Sequence, residues 1–316
     1  MTKLKNKDLI SIHDLSLQEI EDIFALSADL KKKQQNQEKH EYLWAKSLAM
    51  IFEKPSTRTR VSFEIGMWQL GGLAINLDQE AIGLGERESV GDVAKTLSRY
   101  ADAILVRTFE HAKVIELAKY ANVPVINGLS DLLHPCQALA DFFTVIEKKG
   151  KDNLKNLKMA YIGDGNNVCH SLMFAAAKLG IKLVIAAPKG YEPKAEIVKT
   201  SFADAKASGA EIEIVNDPVI ASEHADVIYT DVWASMGQER QRKTKNVKFK
   251  TFQVNAELVK LAKPDYIFMH CLPAHRGEEV TADVIDGTQS VVFDQAENRL
   301  HVQKAILTLL LGGNNG

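Results

Sequence analysis

The chain has few cysteines and no long apolar run, and these absences exclude several classes of protein. Its 316 residues include only Cys136, Cys169 and Cys271, an odd number without paired spacing. We therefore expect reduced thiols and a cytoplasmic protein rather than a disulfide-rich secreted one. No segment approaches the roughly 18 consecutive apolar residues of a membrane span. No apolar run follows the polar first seven residues, so we also expect no signal peptide.

The chain also has little net charge. Lys and Arg number 39 against 41 Asp and Glu, giving a formal charge of −2. This balance argues against a nucleic-acid or anionic-membrane partner, so any anion site must be local. Hydrophobic residues make up 46% of the chain, which is enough for a sizeable core.

Short apolar strands alternate with helix-like segments after an amphipathic helix that begins near Leu17. The predicted strands are Leu48–Phe52, Ala103–Val106, Pro124–Ile126, Met159–Ile162, Leu183–Ala186, Val227–Tyr229, Tyr266–Met269 and Val291–Phe293. Such alternation predicts parallel sheets with right-handed crossovers. Eight strands favour two doubly wound α/β domains, 1–148 and 149–296, divided at the charged stretch Lys148–Asn153. We expect a last helix, at about 297–316, to pack back on the first domain.

An anion site is predicted at Ser56–Arg60, which reads Ser-Thr-Arg-Thr-Arg. The segment follows the predicted strand Leu48–Phe52 and precedes a helix with apolar Val61, Ile65 and Trp68. A helix N-terminus offers free N–H groups and positive potential, and hydroxyls with a guanidinium complete a phosphate site. An ordinary capped helix with solvated Arg is the alternative. The strand–loop–helix context favours the anion site, because open α/β sheets bind ligands there.

Further polar groups are predicted at the same sheet edge. Arg107 ends one strand, and His134 and Gln137 follow the next strand at the start of a helix. Histidine donates to carbonyl or phosphate oxygens, and glutamine binds an amide through both its oxygen and its nitrogen. Taken alone, His134 is equally well explained as a helix cap and Arg107 as a surface charge. Their convergence with Ser56–Arg60 favours a single anion pocket.

Two loops in the second half of the chain favour an amino-acid ligand. Gly163–Asn167 looks like a dinucleotide fingerprint, but it lacks the third glycine, and no ribose-binding acid follows Ala186. Its paired asparagines instead suit a carboxylate or ammonium group. Asp231 ends another strand and could pair with an ammonium, and Ser235–Gly237 could close over a ligand. An ordinary surface loop is the alternative for that segment.

Cys271 and His275 have the spacing of a helical metal pair. Pro273 disfavours a helix there, and no further cluster completes a zinc set. A Cys–His nucleophile pair is conceivable, but the sequence shows no third orienting group. We therefore expect neither a metal site nor a cysteine hydrolase.

Taken together, these stretches resemble the aspartate/ornithine carbamoyltransferase family over essentially the whole chain. The matching stretches are Phe52–Arg60, His134–Gln137, Gly163–Asn167, Asp231–Gly237, His270–Pro273 and Glu297–Arg299. The Ser-Met-Gly and His-Cys-Leu-Pro stretches are typical of ornithine carbamoyltransferase within that family. The resemblance implies transfer of the carbamoyl group from carbamoyl phosphate to the δ-amine of L-ornithine, giving L-citrulline and phosphate. It also implies an active-site cleft between two domains.

The resemblance further implies a role for each motif residue. The group expected to hold carbamoyl phosphate comprises Ser56, Thr57, Arg58, Thr59, Arg107, His134, Gln137, Cys271, Leu272 and Arg299. The group expected to hold ornithine comprises Asn167, Asp231, Ser235 and Met236. Among them, Arg58, His134 and Cys271 would act in catalysis, without a metal, a cofactor or a covalent intermediate.

The family is built on trimers, so the resemblance implies a homotrimer or a multiple of trimers. Where family members often carry a Gln or His that reaches a neighbouring subunit, this chain has Gly83. That contact is therefore absent or is supplied by another side chain, with Arg87 as a candidate.

A carbamoyltransferase for another amine, such as putrescine or an acylated ornithine, is the nearest alternative. Asn167, Asp231 and Ser235–Gly237 favour a free amino-acid head group. A non-catalytic α/β ligand-binding protein would be expected to have lost one of the three catalytic residues, and all three are present. The same residues serve citrulline synthesis and citrulline phosphorolysis, so the motifs leave the physiological direction open.

Overall fold

A computed structural model of the chain describes residues 4–54, 56–234 and 242–312. The chain forms two compact units. The first takes the residues up to Ala140 and those from Glu297 onward, and the second is Asp141–Ala296. The division between the two units by contacts falls inside a continuous helix, Pro135–Lys149.

The first unit is built on a four-stranded sheet whose neighbouring strands all run parallel. Its strands are β1 (Ser47–Phe52), β2 (Leu73–Asp78), β3 (Ala103–Arg107) and β4 (Val125–Leu129), in the spatial order β2-β1-β3-β4. The helices that begin before the division at Ala140 are α1 (Leu17–Gln35), α2 (Thr57–Gln69), α3 (Gln79–Ile82), α4 (Val90–Leu97), α5 (His111–Tyr120) and α6 (Pro135–Lys149). Central strands β1 and β3 are almost wholly buried, as expected for a parallel sheet covered on both faces.

The second unit is built on a five-stranded sheet, also parallel throughout. Its strands are β5 (Lys158–Ile162), β6 (Lys182–Ala186), β7 (Ile212–Val215), β8 (Val227–Thr230) and β9 (Ile267–His270), in the order β7-β6-β5-β8-β9. The remaining helices are α7 (Asn167–Leu179), α8 (Ala195–Ser208), α9 (Pro218–Ser222), α10 (Arg242–Lys248), α11 (Ala256–Val259), α12 (Ala282–Ile285) and α13 (Val292–Leu311). The predicted fold class, two α/β domains with parallel sheets flanked by helices, is confirmed.

One predicted strand is wrong. Val291–Phe293 is not a strand: Val291 makes a single bridging hydrogen bond to Phe268, and α13 begins at the next residue. Val291 and Val292 are buried while Phe293 is exposed, which is a helical rather than an alternating burial pattern. Tertiary burial therefore overrides the β propensity of the two valines.

Two edge strands, β2 and β7, were not predicted. β2 exposes Leu73 and Ile75 on one face, and β7 is only four residues long and incompletely buried. Both lack the buried apolar run that marks the central strands.

The strand order marks one binding crevice in each unit. An open parallel sheet binds ligands at the carboxyl ends of the strands where the winding direction reverses. That reversal lies between β1 and β3 in the first unit and between β5 and β8 in the second. The residues that follow β1 and β5 are Ser56–Arg60 and Gly163–Asn167, which are two of the predicted sites.

Candidate active site

A buried hydroxyl, Thr59 Oγ1, joins the polar groups of the first unit. It accepts hydrogen bonds from Arg299 over 2.7 Å and from Arg107 over 3.4 Å. Arg299 also donates to Gln137 Oε1 over 2.6 Å. We call Thr59, Arg107, Gln137 and Arg299 the Thr59 network. Arg107, Gln137 and Arg299 are all at least nine-tenths buried, so the network concentrates two positive charges in a dry site.

His134 lies just before α6 and is buried in the same unit. Burial lowers its pKa well below the usual value, and the positive charges of Arg299, Arg107 and Arg58 lower it further. The ring is therefore neutral near pH 7. A neutral imidazole carries one N–H and donates a single hydrogen bond.

The first turn of α2 has the geometry of an anion site. Ser56 caps the helix, and its side chain accepts from the Thr59 amide over 3.3 Å. Thr57 is exposed and Arg58 is half-buried on this turn. Arg60 instead pairs with Glu64 over 2.9 Å along the exposed side of the helix.

Glu53 anchors the loop between β1 and α2, and it was not predicted from the sequence. Its carboxylate accepts from the Thr108 hydroxyl, from the Phe109 amide over 3.3 Å and from Lys113 over 2.7 Å. These partners follow β3, so Glu53 ties together the two loops that border the crevice. A carboxylate next to the Ser-Thr-Arg motif was the only sequence signal for this role.

Asp231 joins the polar groups of the second unit. The Cys271 thiol donates to its Oδ1 over 3.0 Å, and the Asn166 amide donates to its Oδ2 over 2.7 Å. Asn166 also caps α7, where its oxygen accepts from the amides of Val168 and Cys169. The sequence pointed to Asn167, the first residue of α7, whereas Asn166 is the residue that contacts Asp231. Of the paired asparagines that the sequence pointed to, Asn166 is thus joined to Asp231.

The Cys271 thiol lies in a cluster that spacing alone did not reveal. Asp231, His270 and Cys271 each offer one potential ligand atom, all within 4.8 Å of one another. The neighbours of Cys271 are thus Asp231 and His270, rather than the predicted spacing partner His275.

The other two cysteines are buried. Burial raises the pKa of Cys136 to about 12 and raises that of Cys169 well above its usual value. Neither is a reactive thiolate near neutral pH.

Two predicted ornithine residues, Ser235 and Met236, lie outside the described residues. Leu272 follows Cys271 and has a left-handed backbone, φ +58°.

Gly83 also has a left-handed backbone, φ +57°, and ends α3. A Cβ at this position would approach Arg87 Cβ to 2.7 Å. Both the backbone and the packing therefore favour glycine at this position.

Comparison with protein-family models gives a match in each half of the chain. The carbamoyl-P binding domain of aspartate/ornithine carbamoyltransferase matches residues 7–147. The Asp/Orn binding domain of the same family matches residues 155–310. The two matches together cover most of the chain.

Individual relatives match at full length. The ornithine carbamoyltransferase of Anoxybacillus flavithermus is 58% identical over 309 residues, covering 98% of each chain. An ornithine carbamoyltransferase of Pyrococcus furiosus named as anabolic is 55% identical and covers 99% of each chain. A solved structure of ornithine carbamoyltransferase from Pyrococcus furiosus superposes with a TM-score of 0.96 over 100% of both chains. The Campylobacter jejuni anabolic enzyme, at 38% identity, gives 0.90 over 98% of this chain and 99% of its own.

Proposed function

The chain belongs to the aspartate/ornithine carbamoyltransferase family and transfers the carbamoyl group from carbamoyl phosphate to the δ-amine of L-ornithine, and we propose how its residues divide this work. The products are L-citrulline and phosphate. The first unit binds carbamoyl phosphate and the second binds ornithine. The Thr59 network, at the switch point of the first sheet, is the observation that carries the assignment.

The phosphate of the donor binds at the N-terminus of α2. Ser56, Thr57 and Thr59 offer hydroxyls and the first-turn amides, while Arg58 and Arg107 supply positive charge. This arrangement also stabilises the departing phosphate after the C–O bond breaks. Arg299 adds a second buried guanidinium through Thr59.

The carbamoyl group binds beside the phosphate, on His134 and Gln137. When the amine attacks, the carbonyl oxygen becomes an oxyanion. Arg58, Thr59 and neutral His134 donate hydrogen bonds to it, and preorganised donors of this kind commonly supply the largest part of catalysis. Burial and the neighbouring cations hold the pKa of His134 low, so the ring stays neutral. It therefore donates a hydrogen bond to the oxyanion and keeps its proton.

Ornithine binds to the second unit. Asp231 pairs with an ammonium group, and Asn167, Ser235 and Met236 complete the amino-acid head site. Cys271 and the backbone at Leu272 contact the reacting amine and carbonyl. The hydrogen bond from the Cys271 thiol to Asp231 holds the thiol in one orientation.

The nucleophile must be the neutral δ-amine. Alkyl amines of this kind have a pKa of about 10, so most ornithine arrives protonated near pH 7. The tetrahedral intermediate forms when the nitrogen lone pair attacks the carbonyl carbon. It collapses by breaking the C–O bond and expelling phosphate, and the departing phosphate takes up the proton that the attacking nitrogen loses. Orientation of the two substrates and electrostatic stabilisation account for the rate enhancement, and no covalent enzyme intermediate is needed.

We propose that the chain works as a homotrimer or a multiple of trimers, in the cytoplasm. The outer face of α2 exposes Val61, Ile65 and Trp68, the last at 73% of its surface. A contiguous apolar face of this kind is characteristic of a protein interface. An open groove of ≈ 750 Å³ lies between the same helix and β2, lined by Ser56 and Thr57 among others. A neighbouring subunit's Arg87 would enter this groove and replace the side chain that Gly83 lacks. Among the described helices, none is both long and apolar enough to cross a bilayer.

The Arg58→Ala variant tests the donor assignment, with Arg60→Ala as its matched control. Arg58→Ala should lower kcat by roughly 100-fold or more without changing the thermal unfolding midpoint. Arg60→Ala, whose described ion pair is with Glu64 on the exposed side of α2, should keep wild-type kinetics. Near-normal activity of Arg58→Ala would remove the phosphate and oxyanion roles. A fully active monomer in gel filtration would contradict the shared assembly.

A further inference from the structure

His270 ends β9 with a fully buried ring that contacts two parts of the second unit. Its Nδ1 accepts the Leu272 amide hydrogen over 2.8 Å. An Nδ1 that accepts carries no hydrogen, so in the neutral ring the hydrogen is on Nε2. Nε2 lies 3.3 Å from Glu279 Oε1, a short polar contact although outside hydrogen-bond geometry.

Glu279 is also fully buried and joins both ends of the loop that follows β9. Its Oε1 faces the His270 ring at the start of the loop and accepts the His275 amide over 2.5 Å at the end. Its own backbone is held by Val254, whose amide donates to the Glu279 carbonyl over 2.9 Å. A buried carboxylate is costly unless such partners compensate it, so its presence in the core points to a specific task.

The loop between these ends has a demanding backbone. Leu272 has φ +58°, a left-handed conformation that is unfavourable for any residue with a Cβ. Such a conformation persists only where the surroundings fix it. The bond from the Leu272 amide to His270 Nδ1 is the described contact that does so, and it exists only in one ring tautomer.

We propose that His270 and Glu279 are positioning residues for carbamoyl transfer. Glu279 selects the Nε2–H tautomer of His270, the free Nδ1 then fixes the left-handed turn at Leu272, and this turn holds Cys271 and the Leu272 backbone against the reacting groups. The proposal rests on the proposed roles of Cys271 and Leu272. It explains why two buried polar side chains that need not touch either substrate lie directly behind that segment.

Kinetics of four variants test the proposal. His270→Ala and Glu279→Ala should each lower kcat/KM for ornithine by about 100-fold, the scale of a misplacement of about 1 Å in a site. In His270→Asn the amide oxygen takes the place of Nδ1, so this variant should recover about tenfold, roughly one hydrogen bond. His275→Ala is the matched control: the His275 backbone makes the contact, so wild-type kinetics should remain. Inhibition by inorganic phosphate should be the same in all variants, because that site lies in the first unit.

A spectroscopic readout completes the test. In wild-type protein labelled with ¹⁵N-histidine, the His270 signal is identified as the one that is missing from the spectrum of His270→Asn. That wild-type signal should show an unprotonated Nδ1 and a protonated Nε2. The opposite tautomer would overturn the proposal even if the alanine variants fail to fold. Folded alanine variants with kcat/KM within twofold of wild type would also overturn it. In both cases an active wild type leaves the carbamoyl-transfer function standing, whereas an inactive wild type would mean that the function itself is wrong.

Discussion

Arg299 donates a hydrogen bond to Thr59 Oγ1 across 240 residues of sequence, at a distance of 2.7 Å. The same hydroxyl accepts from Arg107 over 3.4 Å. One small side chain therefore orients two buried guanidiniums.

Thr59→Val tests this relationship because it removes the hydroxyl and keeps the shape. Both arginines lose an acceptor at a buried position, so we expect binding of carbamoyl phosphate to weaken by about 10- to 100-fold, the effect of losing one or two hydrogen bonds to charged groups. Ser62→Ala is the control, since the described hydrogen bonds of the Ser62 hydroxyl stay within α2, to the carbonyls of Arg58 and Thr59. Calorimetric titration measures the affinities. Equal binding by wild type and Thr59→Val would show that the hydroxyl does not organise the site.

The low pKa of His134 predicts a pH dependence of stability. The folded chain keeps this ring neutral, while the unfolded chain takes up a proton below about pH 6.5. The unfolded state therefore binds more protons in acid, so this contribution to stability is complete above that pH and is lost as pH falls. One proton corresponds to at most about 1.4 kcal/mol per pH unit. Denaturant unfolding of His134→Gln between pH 5 and 7 should show a shallower slope than wild type, and an unchanged slope would count against a buried neutral ring.

The need for a neutral δ-amine predicts the pH profile of the reaction. Between pH 6 and 8, kcat/KM for ornithine should rise by about tenfold per unit, because the neutral fraction of an amine with a pKa of about 10 rises by that factor. Initial rates in a constant-ionic-strength buffer series measure the slope. A flat profile over this range would mean that the enzyme binds and deprotonates the ammonium form.

Thiol alkylation should distinguish Cys271 from the other cysteines. Cys271 is only half-buried, whereas Cys136 and Cys169 are buried and have raised pKa values. Iodoacetamide should therefore modify Cys271 first and abolish activity, and ornithine should slow this reaction. Peptide mass spectrometry locates the label, with Cys271→Ser as the resistant control. Loss of activity without label at Cys271, or unchanged rate and pH profile in Cys271→Ser, would remove its role at the amine.

The sequence was most informative where chemistry is local. Ser56–Thr59 lies on one strand–loop–helix turn and Asp231 directly follows a buried strand, so pattern and spacing predicted a polar site at each, whereas Cys271 was assigned through the family resemblance. The links from Thr59 to Arg299 and Gln137 could not be read from the sequence, because they depend on how distant helices pack. For the same reason the roles of Glu53 and Asn166 appear only in the folded chain.

The errors in secondary structure have the same physical origin. Val291–Phe293 has the composition of a strand, but α13 buries it as part of a helix. β2 is the reverse case, since exposed Leu73 and Ile75 give no sign of burial although the segment pairs with β1. In both places tertiary contacts, rather than local propensity, determine the secondary structure.

The most direct test of the account is a citrulline assay of the purified chain with carbamoyl phosphate, comparing L-ornithine with putrescine as acceptor. Asp231 and Asn167 are assigned to an amino-acid head group, which putrescine lacks. The account predicts rapid citrulline formation from ornithine and a kcat/KM for putrescine lower by at least about 100-fold, as expected when buried polar groups are left without their partner. Equal or faster carbamoylation of putrescine would contradict it.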